Sequence, residues 1–251
     1  MTISSFRSFC SAVCCAICLF FSACGKKEPP LVVLTTGTNP PFSFVDQHGN
    51  LSGFDIGLIQ LISETIGRQI DLKTVPFDDL IKKVQAKEGD IAIAAISITE
   101  DRKRLVDFSA PYHEGGFALI MLETTSSDLK DLSDKSLGVG EGTWQEGAVK
   151  ASLINIPNLL VRSVGPIKMD DIVAKIRSGE WAAYVLDADS AKHVVDRTQG
   201  LKLVPLDIGV LGMGIVTGKG SHHTQLVADA MVKRNDDIVA LKGKWFSAAS
   251  N

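Results

Sequence analysis

Beyond position 24 the chain has no cysteine: all five (Cys10, Cys14, Cys15, Cys18 and Cys24) fall within its first 24 residues. That excludes a disulfide framework and any thiolate metal site from the rest of the 251 residues. A dominant charge sign is also missing. Lysine and arginine number 26 against 29 acids, for a net charge of −3, and the two signs are interspersed. The concentrated basic face of a nucleic-acid binder is therefore not expected. The apolar run over residues 9–21 falls short of the roughly 20 residues that span a bilayer. Histidines are few, and none has metal-ligand spacing; the adjacent His222-His223 sits in a polar stretch and reads as surface. Gly212-Met213-Gly214 and Gly218-Lys219-Gly220 lack the Walker and dinucleotide patterns and read as hinge and turn glycines. No cofactor is expected. What is present is a globular composition, 45% hydrophobic and 22% charged, enough for one large domain or two small ones.

The first residues form a targeting segment. A single positive charge over residues 1–7, the apolar run, and the small residues Ser22-Ala23 before Cys24-Gly25 make an n-region, an h-region and a cleavage site. This resembles the bacterial lipobox, with Phe21 where that motif prefers leucine. The resemblance implies cleavage after residue 23, lipid attachment at Cys24, and a polar tether over residues 24–30.

From Leu31 the pattern alternates. Residues 31–34 are a fully apolar strand of the kind buried in a parallel sheet. Residues 54–67 show helical spacing (Ile56, Ile59, Ile62, Ile66) closed by a glycine. A strand is expected at 70–75, a helix at 77–87, a strand at 90–97, and a helix capped by Thr99 with Glu100 and Asp101 in its first turn. A second series follows: strands at 137–140, 159–163 and 182–186, and helices at 145–153, 169–178 and 188–197. Residues 117–123 and 209–217 are extended and apolar, and read as two crossings between lobes. A final helix over 224–244 would complete the first lobe. This order predicts an α/β fold of doubly wound domains.

Several segments stand out together: Asn39-Pro40-Pro41-Phe42-Ser43-Phe44, Gly53-Phe54-Asp55-Ile56, Phe77-Asp78-Asp79-Leu80-Ile81, Ser97-Ile98-Thr99-Glu100-Asp101-Arg102, Val106-Asp107-Phe108-Ser109-Ala110-Pro111-Tyr112, Gly138-Val139-Gly140-Glu141-Gly142-Thr143 and Lys244-Trp245-Phe246. In this order they resemble the periplasmic polar-amino-acid binding proteins of ABC importers, the lysine/arginine/ornithine, glutamine and histidine group. The resemblance implies a two-lobed periplasmic-binding-protein fold: two doubly wound α/β domains joined by two hinge strands, with residues 31–119 and 213–251 in one lobe and 120–212 in the other. It also implies a free amino acid as ligand, an ABC transporter permease as partner, and a membrane reached through the lipid anchor.

A free amino acid offers a carboxylate and an ammonium, so its binder needs a cation and an anion. The resemblance assigns Arg102 to the carboxylate and Asp187, at the end of an apolar strand, to the ammonium. Ser97 would contact the ligand through hydroxyl and backbone, and Ala95 through its carbonyl. Phe77 would stack on the ligand side chain, and Asn39 would add a polar contact. Trp144 stands where relatives have a threonine that donates its amide. Thr36 stands where binders of basic amino acids carry an acid. Asp55 is open between a structural and a ligand role. Small residues at Gly37, Ala94, Ala95 and Gly140 suggest a long pocket. Phe77 suits a guanidinium, Glu141 is the nearest replacement acid, and Asn39 and Gln145 offer neutral acceptors. Arginine is the expected ligand, with glutamine or another polar amino acid next. An enzyme resembling cyclohexadienyl dehydratase, with Glu141 or Glu114 as general acid, is the alternative of another class.

Overall fold

The computed structural model describes residues 28–246; the expected targeting segment and Cys24 lie outside the described residues. Two five-stranded sheets carry the fold. In the first, Leu31–Thr35 pairs in parallel with Ile70–Thr74 on one side and Ile91–Ala92 on the other, and Val216–Thr217 joins antiparallel between Ile91–Ala92 and Asp107–Phe108. Leu31, Val33 and Leu34 are buried, as a strand covered on both faces requires. The helix Phe54–Ile66 lays Phe54, Leu58, Ile59 and Ile62 into this lobe's core, each contributing about 1.5–3 kcal/mol by burial. It ends at Gly67 in the left-handed conformation (φ 69°), whose N–H donates to the carbonyl of Ser63.

In the second sheet, Leu160–Val164, Ser136–Gly140 and Ala183–Asp187 run parallel, and His113–Leu122 and Leu201–Met213 close it antiparallel. Helices Trp144–Ser152, Met169–Arg177 and Ala188–Val195 accompany it. Both sheets bear out the expected two-lobed α/β architecture.

Four expectations need correction. Residues 117–123 do not cross between lobes. Phe117–Met121 is the interior of a central strand, paired on both sides and buried, so the second lobe takes the chain by Phe117, not at 120. The crossings are instead His113–Gly115 and Leu211–Met213, hydrogen-bonded to each other beyond a bulge that contains Gly209 (φ 114°). The strand expected at 90–97 pairs regularly only at Ile91–Ala92; Ala95 then turns into the left-handed region (φ 49°). The helix expected from Phe77 begins as a tight turn, Phe77–Asp79, before Leu80–Gln85. The final helix is two helices, His222–Lys233 and Asn235–Phe246, broken at Arg234.

Candidate functional site

A cleft of about 950 Å³, measured to its open mouth, lies between the lobes. Thr36, Asn39, Phe77, Ala95, Glu141, Gln145 and Asp187 all line it, as do the small Ala94 and Gly140. These positions come from both sheets, at strand ends and the turns that follow, where open α/β sheets leave room for ligands. Gly37 does not line the cleft; the space a side chain would need there is held by Leu51, Thr74 and Val45. The second lobe adds an apolar wall of Val164, Pro166, Ile167, Met169 and Ile172, with Tyr184 beside it.

Asp187 ends the strand Ala183–Asp187 and directly precedes the helix Ala188–Val195, yet its side chain makes no capping bond. It is held in the cleft by two amides. Gln145 Nε2 donates to Oδ1 (3.0 Å) and Asn39 Nδ2 to Oδ2 (3.3 Å). Burial pushes its pKa up to about 6. Asn39 is oriented in turn by Ser190, whose hydroxyl donates to Asn39 Oδ1 at 2.7 Å. Asn39 therefore belongs to one lobe and its two partners to the other. With its NH₂ directed to Asp187 and its carbonyl accepting from Ser190, Asn39 is committed to contacts across the cleft, and its carbonyl keeps one lone pair for a further donor. Ser190 was not legible in the sequence: a serine one turn into a helix carries no signal pointing to a residue 151 positions away.

Arg102, Ser97 and Trp144 lie outside the lining of the main cleft. Arg102 faces a smaller adjoining cavity of about 280 Å³, with Phe77 forming part of both walls. Its guanidinium carbon is 5.4 Å from the Phe77 ring centroid. Its Nη1 donates to the carbonyl of Ser97 (2.9 Å) and its Nη2 to the carbonyl of Gly142, on the other lobe (3.2 Å). Burial alone lowers its pKa to about 10. Thr99 caps the helix below it as expected, accepting from the Arg102 N–H at 3.2 Å. Ser97 is buried and bridges to Met213 of the hinge. Trp144 opens its helix with its indole against Phe117, ring centroids 5.1 Å apart, so the side chain packs in the second lobe's core.

Asp55 is structural in its contacts. It is fully buried, and the N–H of Ala95 donates to its Oδ2 (3.0 Å) and to the Tyr112 hydroxyl (3.1 Å). It thereby holds the left-handed turn of the cleft floor, and burial pushes its pKa up to about 7. His223 is not a surface residue: its ring is buried and bonded to Arg68 Nη1 at 3.0 Å.

A cleft between two α/β lobes, spanned by two paired strands, with the buried carboxylate of Asp187 on its wall and the half-buried guanidinium of Arg102 beside it, defines a solute-binding protein. The sequence agrees. The profile of the bacterial extracellular solute-binding proteins, family 3, matches residues 31–248, and the chain belongs to that family. It is 29% identical over 232 residues to the L-cystine-binding protein of Escherichia coli, covering 89% of this chain and 85% of that one. It is 26% identical to the arginine-binding extracellular protein of Bacillus subtilis, covering 90% and 89%. Among solved structures it resembles an ancestral arginine-binding protein bound to arginine, with a TM-score of 0.80 and 31% identity over 88% of this chain and all of that one.

Proposed function

We propose that the chain captures a free amino acid, arginine or another basic one, outside the cytoplasm and delivers it to an ABC transporter permease, held at the membrane through lipid on Cys24. The observation that carries this reading is the charge of the cleft. Asp78, Glu141 and Asp187 line it, and among its described lining residues there is no lysine, arginine or histidine. Such a cavity attracts a cationic side chain. Arg102 adds the complementary half: a half-buried guanidinium whose partners are carbonyls leaves a place for a carboxylate, and its planar fork suits a bidentate pair. Asp187, buried with neutral partners, is the matching site for the ammonium. In this reading Asp78 and Glu141 take over the charge that Thr36 does not supply.

The hinge residues divide the chain into a first lobe of residues 28–112 plus 214–246 and a second lobe from 117 to 208. Ligand closes the two by rotation about the paired crossings. Binding and delivery, with no turnover, is the activity proposed. Glu114, one of the two residues considered as a general acid, lies in the hinge pair opposite Gly212 and not on the cleft wall.

A second reading, glutamine or another polar neutral amino acid, draws on Thr36 and on the apolar wall of Val164, Pro166 and Ile167. Equilibrium competition against labelled arginine separates the two. Lysine and ornithine are expected to displace the label better than glutamine or cystine. If glutamine or cystine displaces it more effectively, the basic-ligand reading fails while the family assignment stands.

A further inference from the structure

Arg68 follows the helix Phe54–Ile66 beside the start of the strand Leu31–Thr35, and its side chain is only 8% exposed. All three guanidinium nitrogens are engaged, and two of them hold the first described residues. Nε donates to the carbonyl of Pro29 (3.0 Å) and Nη2 to that of Pro30 (3.3 Å), while Nη1 meets His223 Nε2 (3.0 Å). The carboxylates of Glu28 (3.6 Å) and Asp90 (3.8 Å) complete the cluster. Two bonds continue the attachment: Leu31 N–H to the Gln69 carbonyl (2.6 Å) and Val32 N–H to Asp90 Oδ2 (2.8 Å). Residues 28–30, expected to belong to the polar tether, lie exposed on the lobe and are fastened to it through Arg68.

We infer that the face of the first lobe around Arg68, Asp90 and His223 is the one apposed to the lipid headgroups, and that Arg68 is the staple that fixes this orientation. The inference rests on the lipid anchor at Cys24 proposed above. Four peptide steps separate Cys24 from Glu28, a reach of at most about 14 Å when fully extended. With residues 28–30 fastened, the stapled face cannot rise farther than that from the attachment point. The strand Leu31–Thr35 leads from this face toward the cleft, which begins at Thr36. Five residues of strand put the ligand site about 17 Å farther from the bilayer. The cleft is thus carried on the side of the lobe away from the lipid. Releasing the staple would lengthen the free tether to seven steps, a reach of about 25 Å, and free the lobe to tumble.

The test uses the lipidated full chain in vesicles of phosphatidylcholine and phosphatidylglycerol with an acceptor dye on the headgroup. Cys24 is consumed by lipid, so one introduced thiol labels uniquely. A fluorophore on Gln225→Cys, in the helix that carries His223, is compared with one on Ile154→Cys, exposed on the second lobe. Energy transfer to the headgroups is expected to be severalfold stronger from position 225. Arg68→Ala and the milder Arg68→Gln, each checked for retained ligand binding, are expected to shrink that difference. Equal transfer from both positions in the parent, or a difference that survives both Arg68 variants, overturns the orientation. Palmitate labelling of the same preparations separates the two levels. An unlabelled parent overturns the anchor and the orientation together, whereas a labelled parent with equal transfer overturns the orientation alone.

Discussion

Asp187→Asn probes the electrostatics of the cleft in two opposed directions. In the ligand-free protein, burial pushes this carboxyl up to about 6, from an ordinary value of 3.8. A folded pKa above the unfolded one means that the native state holds the proton more tightly. The group's contribution to stability is therefore full below about pH 4 and is lost as pH rises through about 6. Roughly two pH units at 1.36 kcal/mol each put the cost of the charged form at about 3 kcal/mol at neutral pH. Asparagine removes that cost. It also turns an NH₂ toward Asn39 Nδ2 or Gln145 Nε2, which now donate to the carboxylate, and one lost bond returns about 1–3 kcal/mol. The absolute change in melting temperature is then small, and the informative quantity is its slope. Relative to the variant, the parent should lose stability steadily between pH 4 and pH 7. Asp55 shares the direction of shift, and the Asp187 charge contributes to it, so the difference reads position 187 together with the relief it gives Asp55. Binding moves the other way. An ammonium facing a neutral amide loses its charged partner, about 2–5 kcal/mol of affinity. The parent's own affinity should be flat above about pH 6 and should fall toward tenfold per unit below it. Scanning fluorimetry and calorimetry from pH 4.5 to 8 read both effects. A variant that binds within threefold of the parent, or a parent affinity unchanged down to pH 5, refutes Asp187 as the ammonium partner.

Three further outcomes follow from the same geometry. Arg102→Ala is expected to abolish calorimetric binding of every α-amino acid, and Arg102→Lys to recover little of it because an ammonium lacks the planar fork; less than a tenfold loss in the alanine variant would count against the clamp. Ser190→Ala leaves Asn39 Oδ1 without its partner across the lobes, so the ligand-free protein should show a larger radius of gyration by small-angle scattering, and an unchanged radius would remove Ser190 from the closing contact. Gly209 sits at φ 114° with Trp144 close by; Gly209→Ala should cost about 1–3 kcal/mol in denaturant unfolding, and a variant as stable as the parent would show that the bulge relaxes freely.

The parts of this fold that depend on neighbours in sequence were legible, and those that depend on distant pairing were not. Gly67 closing its helix, Thr99 capping the helix that carries Arg102, and Asp187 ending a buried strand are all encoded within a turn or two. Residues 117–121 looked like a crossing because an apolar extended stretch reads the same whether it joins two sheets or fills the middle of one. Only the partners, at 183–187 and 201–206, distinguish these. Ala95 in the left-handed region has no local signature either, since alanine disfavours it. The carboxylate that holds the turn comes from Asp55, 40 residues earlier. For the site, the residue types at Asn39, Gln145, Glu141 and Asp187 were readable as polar and acidic. That the two amides would both be spent on Asp187, and that Arg102 would lie behind Phe77 instead of on the main cleft wall, required the packed arrangement.

His113–Gly115 and Leu211–Met213 are bonded to each other along their length, and Ser97 ties Met213 to the first lobe. In the proposed closure, strands zipped together in this way would turn as a pair and give the lobes a single soft coordinate, a swing about one axis. Along one coordinate, the gap between any chosen point on one lobe and any chosen point on the other takes one value for each angle. A transporter that grips both lobes at once therefore need not touch the cargo to know that it is there. It reads occupancy as a length, in the way that callipers report what is held between their jaws.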